Sequence, residues 1–180
     1  MNKKQFKLYL FSYIFRNLVD MHMKRNRCDE KQAISSFSTK RAMRLLYFIC
    51  LNSATEKDSG LFRYFDSFCA YMRGPVEIDI YQAYDIIPGL IYENEHYTDI
   101  NPVDFNMIDT AILVETDIAI NKLMMFPLEI FNSEEKLSDL THKTELWEFA
   151  YLYKANYRMN IDDLNSIHRS RESVFLYILK

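Results

Sequence analysis

Glycine is scarce in this 180-residue chain: only Gly60, Gly74 and Gly89 are present, where average usage gives about a dozen. A phosphate-wrapping G-x-x-x-x-G-K loop or a G-x-G-x-x-G dinucleotide turn needs closely spaced glycines. Glycines fourteen and fifteen residues apart supply neither. Cys28, Cys50 and Cys69 are odd in number and lack any C-x-x-C grouping, which disfavours a disulfide framework or a zinc knuckle. His22, His96, His142 and His168 show no short metal-ligand spacing, and no serine sits in a G-x-S-x-G elbow. Glu134-Glu135 and Asp162-Asp163 are adjacent pairs that point to different sides of a helix, so neither is a ready-made carboxylate dyad. The expectation is a protein without enzymatic activity, cofactor or metal.

Long apolar runs are also missing. Lys3-Lys4 followed by apolar residues 8–11 and 13–15 has the outline of a secretory signal, but Arg16 and Asp20 interrupt it and no small-residue cleavage site follows. No other stretch approaches the ~20 apolar residues that span a bilayer. A cytoplasmic protein with no membrane partner is expected. What is present is 49% hydrophobic, 26% charged and 15% aromatic residues, the composition of one folded domain over residues 1–180.

The net charge of -3 conceals an asymmetry. Residues 1–50 carry +8, residues 51–180 carry -11, and residues 74–135 alone hold thirteen acids against one base, Lys122. Such a field favours a cationic partner. The competing reading is that the basic N-terminal part folds onto the acidic middle and cancels it.

Periodicity predicts a mainly α fold, a compact helical domain with at most a small β element around residues 61–72. Residues 6–24 read as a helix whose polar stripe is Ser12, Arg16, Asp20 and Lys24 and whose remaining faces are largely apolar, so it is buried on several sides or docks a partner. Residues 24–31 read as a solvated turn. A second helix starts near Ser38 or Thr39 with Ala42, Leu45, Leu46 and Ile49 inward. Lys40, Arg41 and Arg44 crowd its N-terminal turns, where the helix dipole disfavours cations, so an anionic group is expected nearby. Alternation over residues 61–70 suggests a strand, Gly74-Pro75 a turn, and residues 77–85 a helix. Pro88-Gly89 is a break, and residues 90–92 are a short strand or loop. Asn101-Pro102 reads as a helix start running to Phe126 before Pro127. Residues 132–142 and 144–153 give two further helices, and a last element, helix or strand, falls in residues 156–180.

Three segments in order carry a family resemblance. The first is Thr39-Lys40-Arg41-Ala42-Met43-Arg44-Leu45-Leu46-Tyr47-Phe48; the second is Ala70-Tyr71-Met72-Arg73-Gly74-Pro75-Val76, followed by Tyr81; the third is Leu137-Ser138-Asp139-Leu140-Thr141-His142, with Trp147 five residues on. Together they resemble the Panacea (SocA-like) antitoxin domain, with its K-L-L-Y-type helix, A-W-x-x-G-P-V turn and L-T-H…W helix pair. Tyr71 stands where the family often has Trp, and Met43-Arg44 replaces the usual Gln-Lys lead. The resemblance divides the chain into an N-terminal helical addition (1–38), a Panacea-like core (39–155) and a C-terminal element (156–180).

What the resemblance implies is a helical domain that neutralises a cognate protein toxin by direct contact, with Tyr71, Arg73, Glu77, Asp79, His142 and Trp147 as partner-binding candidates. Leu45, Leu46, Tyr47, Gly74, Pro75, Val76, Leu140 and Thr141 are then family-motif residues that serve packing. Gly74-Pro75 is most simply a turn and Trp147 a core anchor; His142 can equally bond the last carbonyls of its helix. The acidic stretch suggests that the toxin is cationic. A protease adaptor that delivers the toxin to an AAA+ protease is the alternative. A nucleic-acid-binding regulator using Lys40, Arg41, Arg44 and residues 24–31 is the least favoured of the three, because the chain is acidic in bulk and shows no helix-turn-helix.

Overall fold

The computed structural model describes residues 1–159 apart from 56, 95 and 155. The first helix, α1 (Lys3–Asn26), starts where Asn2 and Gln5 form a reciprocal capping box. Its apolar residues occur on most of its circumference, and accordingly Leu10, Phe11, Ile14, Phe15 and Leu18 are all buried. Even Ser12, on the expected polar stripe, is buried and donates to the Pro88 carbonyl at 2.6 Å. α1 contributes eight residues to the same buried hydrophobic cluster as the elements after residue 39.

Asp29 caps a short α2 (Glu30–Ser35), so the predicted solvated turn shrinks to the few residues between the two helices. Ser38 caps α3 (Thr39–Ser53), accepting from the Arg41 amide at 3.1 Å. This helix is buried on most sides: Ala42, Leu45, Leu46, Tyr47, Ile49 and Cys50 are fully buried.

Residues 61–70 do not form one strand. A 3-10 turn (Gly60–Arg63) comes first, and only Phe68–Tyr71 (β1) is extended, pairing antiparallel with β2 (Gly74–Glu77). The buried rings are Phe62, Phe65 and Phe68, three apart, which suits a tight turn better than alternation. The free edge of β1 is covered by residues 157–159: the Ala70 amide donates to the Tyr157 carbonyl at 2.7 Å, and the Met159 amide to the Phe68 carbonyl at 2.9 Å. The predicted helix over 77–85 is a single turn, α4 (Ile78–Tyr81), capped by Glu77.

A second hairpin, β3 (Leu90–Glu93) with β4 (His96–Ile100), is an addition to the expected β content. It also displaces the helix predicted from Asn101-Pro102. The Asn101 amide is spent on the Gly89 carbonyl at 2.7 Å, closing the hairpin, and α5 (Thr110–Asn121) begins only after the Asp109 cap. Beyond Pro127 come α6 (Leu128–Phe131), α7 (Glu134–His142, capped by Ser133) and α8 (Glu145–Tyr153). The final element expected in residues 156–180 lies outside the described residues after 159. Helix makes up 58% of the structure and the sheets are two small hairpins, so the fold is mainly α. No described helix is long and apolar enough to cross a membrane.

Candidate functional site

The turn between β1 and β2 gathers the three sequence segments. Gly74 sits at φ +114°, a conformation L side chains rarely adopt, and a Cβ there would lie 3.1 Å from both Arg44 Nε and Thr141 Oγ1. Just before it, the Arg73 carbonyl accepts from Arg44 Nε at 3.1 Å, from Arg44 Nη2, and from Ser138 Oγ at 2.9 Å. Arg44 belongs to α3 and Ser138 to α7, so one carbonyl ties the turn to two helices.

Trp147 Nε1 donates to the Tyr71 carbonyl at 3.2 Å, and the Trp147 ring packs between His142 and Tyr151 with centroids 4.1 and 4.6 Å away. Behind it, Tyr47 Oη and Thr144 Oγ1 share a buried hydrogen bond of 2.7 Å, and Thr141 Oγ1 donates to the Ser138 carbonyl. Burial of the phenol pushes the Tyr47 pKa upward, so it stays neutral. Leu45 and Leu46 are buried behind these contacts, Pro75 is buried in β2 opposite Ala70, and Val76 and Leu140 are half-buried.

Outside the turn lies a cleft of about 320 Å³ lined by Lys40, Met43, Arg44, Tyr71, Arg73, Gly74, Pro75, Val76 and Tyr81. Its walls are apolar and its charges are all positive. Tyr71 and Tyr81 stand 48% and 47% exposed at the rim, with Met72 more exposed still. His142 is half-buried beside the turn; burial, against the pull of Asp139, holds its imidazole below the ordinary histidine value. Of the expected partner-binding residues, then, Tyr71 and Arg73 are on the open face, and Trp147 is a buried anchor whose N–H is already used.

Glu77 and Asp79 face the other way. Glu77 is fully buried and accepts from the Lys7 ammonium at 2.8 Å; Asp79 also binds Lys7, and Asp66 Oδ1 lies 2.7 Å from it. These three carboxylates are close enough to hold a cation, and Lys7 Nζ occupies that place. Burial alone would lower the lysine pKa, but the hydrogen bonds to Asp66, Asp79 and Glu77 outweigh it and hold it above the ordinary value. Glu77 is thus not presented to a partner, and Asp79 is committed to α1. Sequence reasoning passed over Lys7, though a signal existed: it falls on the stripe of Phe11, Ile14 and Leu18, all of them core.

Other cations are equally committed. Arg41 is 2% exposed, donates to the Phe131 and Ser36 carbonyls at 3.1 and 3.0 Å, and packs against the Phe37 and Phe131 rings. Its Nη2 lies 3.1 Å from His22 Nδ1, and burial with the Arg41 and Arg25 charges brings His22 down to about 4. Arg25 donates to the Leu123 and Phe126 carbonyls. Of the cations expected to contact nucleic acid, Arg41 and Arg44 are buried and Arg25 is half-buried, whereas Lys24, Arg27, Lys31 and Lys40 are exposed.

No protein-family model, no curated protein and no solved structure matches this chain.

Proposed function

We propose that this protein is an antitoxin that acts in the cytoplasm by binding a cognate protein toxin directly, without chemistry of its own. The observation that carries the reading is the convergence at one backbone turn of the three segments that resemble the Panacea domain. Arg44 from the first, Tyr71 to Gly74 from the second, and Ser138, Thr141 and Trp147 from the third are tied together there. Segments up to a hundred residues apart that hydrogen-bond into one unit form a defined face. The exposed Tyr71, Met72 and Tyr81 are the residue types that anchor protein interfaces.

The test is co-expression with the neighbouring open reading frame. Growth arrest by that neighbour alone, relieved when this protein is present, is expected; a harmless neighbour, or one that stays toxic, removes the proposal. Toxin half-life separates the two modes. An unchanged half-life means masking, and a shortened one that depends on a protease means delivery for degradation.

A further inference from the structure

We infer that the cleft beside the Tyr71–Gly74 turn receives an acidic segment of the partner protein, a carboxylate flanked by an apolar or aromatic side chain. That the partner is a protein rests on the antitoxin reading; the sign and shape of the segment rest on the cleft. Lys40, Arg44 and Arg73 line it, and no carboxylate does. Glu77, next to the cleft in sequence, faces Lys7; Glu134, from α7, accepts from Ser38 through one oxygen and ion-pairs with Arg44 through the other at 3.6 Å.

Arg44 makes the floor of the cleft electropositive in a way a surface arginine does not. Its side chain is 4% exposed, and Nε and Nη2 are directed to the Arg73 carbonyl, a dipole and not a countercharge. Nη1 is buried with no hydrogen-bond partner, and Glu134 Oε1 lies 3.6 Å from it, too far for a hydrogen bond. Arg44 is thus ion-paired with Glu134 but keeps an unused N–H donor, which a carboxylate entering the cleft can engage. Arg73 and Lys40 sit at the mouth with exposed side chains, where a carboxylate can pair with them.

The walls select what accompanies that carboxylate. Met43, Pro75 and Val76 are apolar, and Tyr71 and Tyr81 offer ring surface at the rim. A polyanion such as a nucleic-acid backbone needs an extended basic track. Here three cations, Lys40, Arg44 and Arg73, meet at a cleft of about 320 Å³, a compact group and not a track. A short acidic and apolar peptide segment matches the size and lining of the cleft.

The experiment titrates the full-length protein by calorimetry with two capped peptides, one alternating phenylalanine with glutamate and one alternating phenylalanine with lysine. The acidic peptide is expected to bind and the basic one not. Arg73→Glu and Lys40→Glu, both at exposed positions, are each expected to weaken the acidic peptide about tenfold or more with unchanged circular dichroism, and Arg73→Lys to retain it. Added salt should weaken binding. The inference is overturned by no heat with the acidic peptide, by equal binding of the basic peptide, or by Arg73→Glu leaving the affinity unchanged. A single-stranded DNA oligonucleotide that binds tighter than the acidic peptide and is lost in Arg73→Glu also overturns it, in favour of nucleic acid. Peptide binding that follows this pattern while the co-expressed toxin remains toxic keeps the cleft and removes the antitoxin role, so the two failures are told apart.

Discussion

Lys7 holds its charge inside the protein because three carboxylates surround it, and its removal takes the ion-pair partner from the fully buried Glu77. Lys7→Met is expected to cost about 3–5 kcal/mol in urea unfolding, and the double variant Lys7→Met/Glu77→Leu to recover most of that. The network also sets a pH window. Burial would raise Asp66 and Asp79, but Lys7, and Lys3 for Asp66, hold both below the ordinary 3.8. Their contribution is therefore intact above that value and is lost as pH falls through the folded-state pKa values. Lys7 is raised above 10.5, so its contribution is lost as pH rises beyond that. The stability difference between wild type and Lys7→Met should be flat between these limits and shrink on either side. A difference that persists undiminished at pH ~2 would show that the network is not what stabilises α1 against the hairpin.

At the scale of elements, the β1–β2 hairpin depends on one glycine. A methyl group at position 74 meets Arg44 Nε and Thr141 Oγ1, both fixed by hydrogen bonds of their own, on a backbone that disfavours any side chain. Gly74→Ala is expected to lose about 1–3 kcal/mol and to change the fluorescence of Trp147, the chain's single tryptophan; unaltered midpoint and emission would contradict this. Elements announced by local chemistry were legible: Ser38 before α3, and a helix beginning after Asn132, though its cap is Ser133; Gly74-Pro75, read as a turn, instead opens β2 just after the turn at Met72-Arg73. Elements set by tertiary contact were not. The β3–β4 hairpin buries little more than Leu90 and Tyr97, too thin an alternation to read, and is held by packing on α2 and a bridge from Ser38 to His96. Asn101-Pro102 has the composition of a helix start, but its amide was already taken by Gly89.

Across the whole molecule, α1 and α3 form one core, and removing the first is expected to abolish the fold. Leu8, Leu10, Phe11, Ile14, Phe15, Leu18, Val19 and Met21 are all buried. At roughly 1.5–3 kcal/mol each, their loss exceeds the ~5–15 kcal/mol by which a typical domain is stable. A chain lacking residues 1–28 should give no cooperative thermal transition by circular dichroism. The candidate site was legible as a set of motif residues but not in its polarity. Counting charge along the chain suggested an acidic face, whereas Glu77 is spent on Lys7 and the cleft beside it is basic. Pairing across seventy residues of sequence leaves no trace in a local charge count.

The Arg73 carbonyl, with three donors upon it, divides that residue's duties between its atoms. The main chain carries the architecture, and in the proposed mode of binding the exposed guanidinium carries recognition. Substitution at 73, and at the exposed rim positions 40, 71 and 81, can thus alter who is recognised at little thermodynamic cost to the scaffold. On that proposal, partner choice is free to drift while the fold stands still.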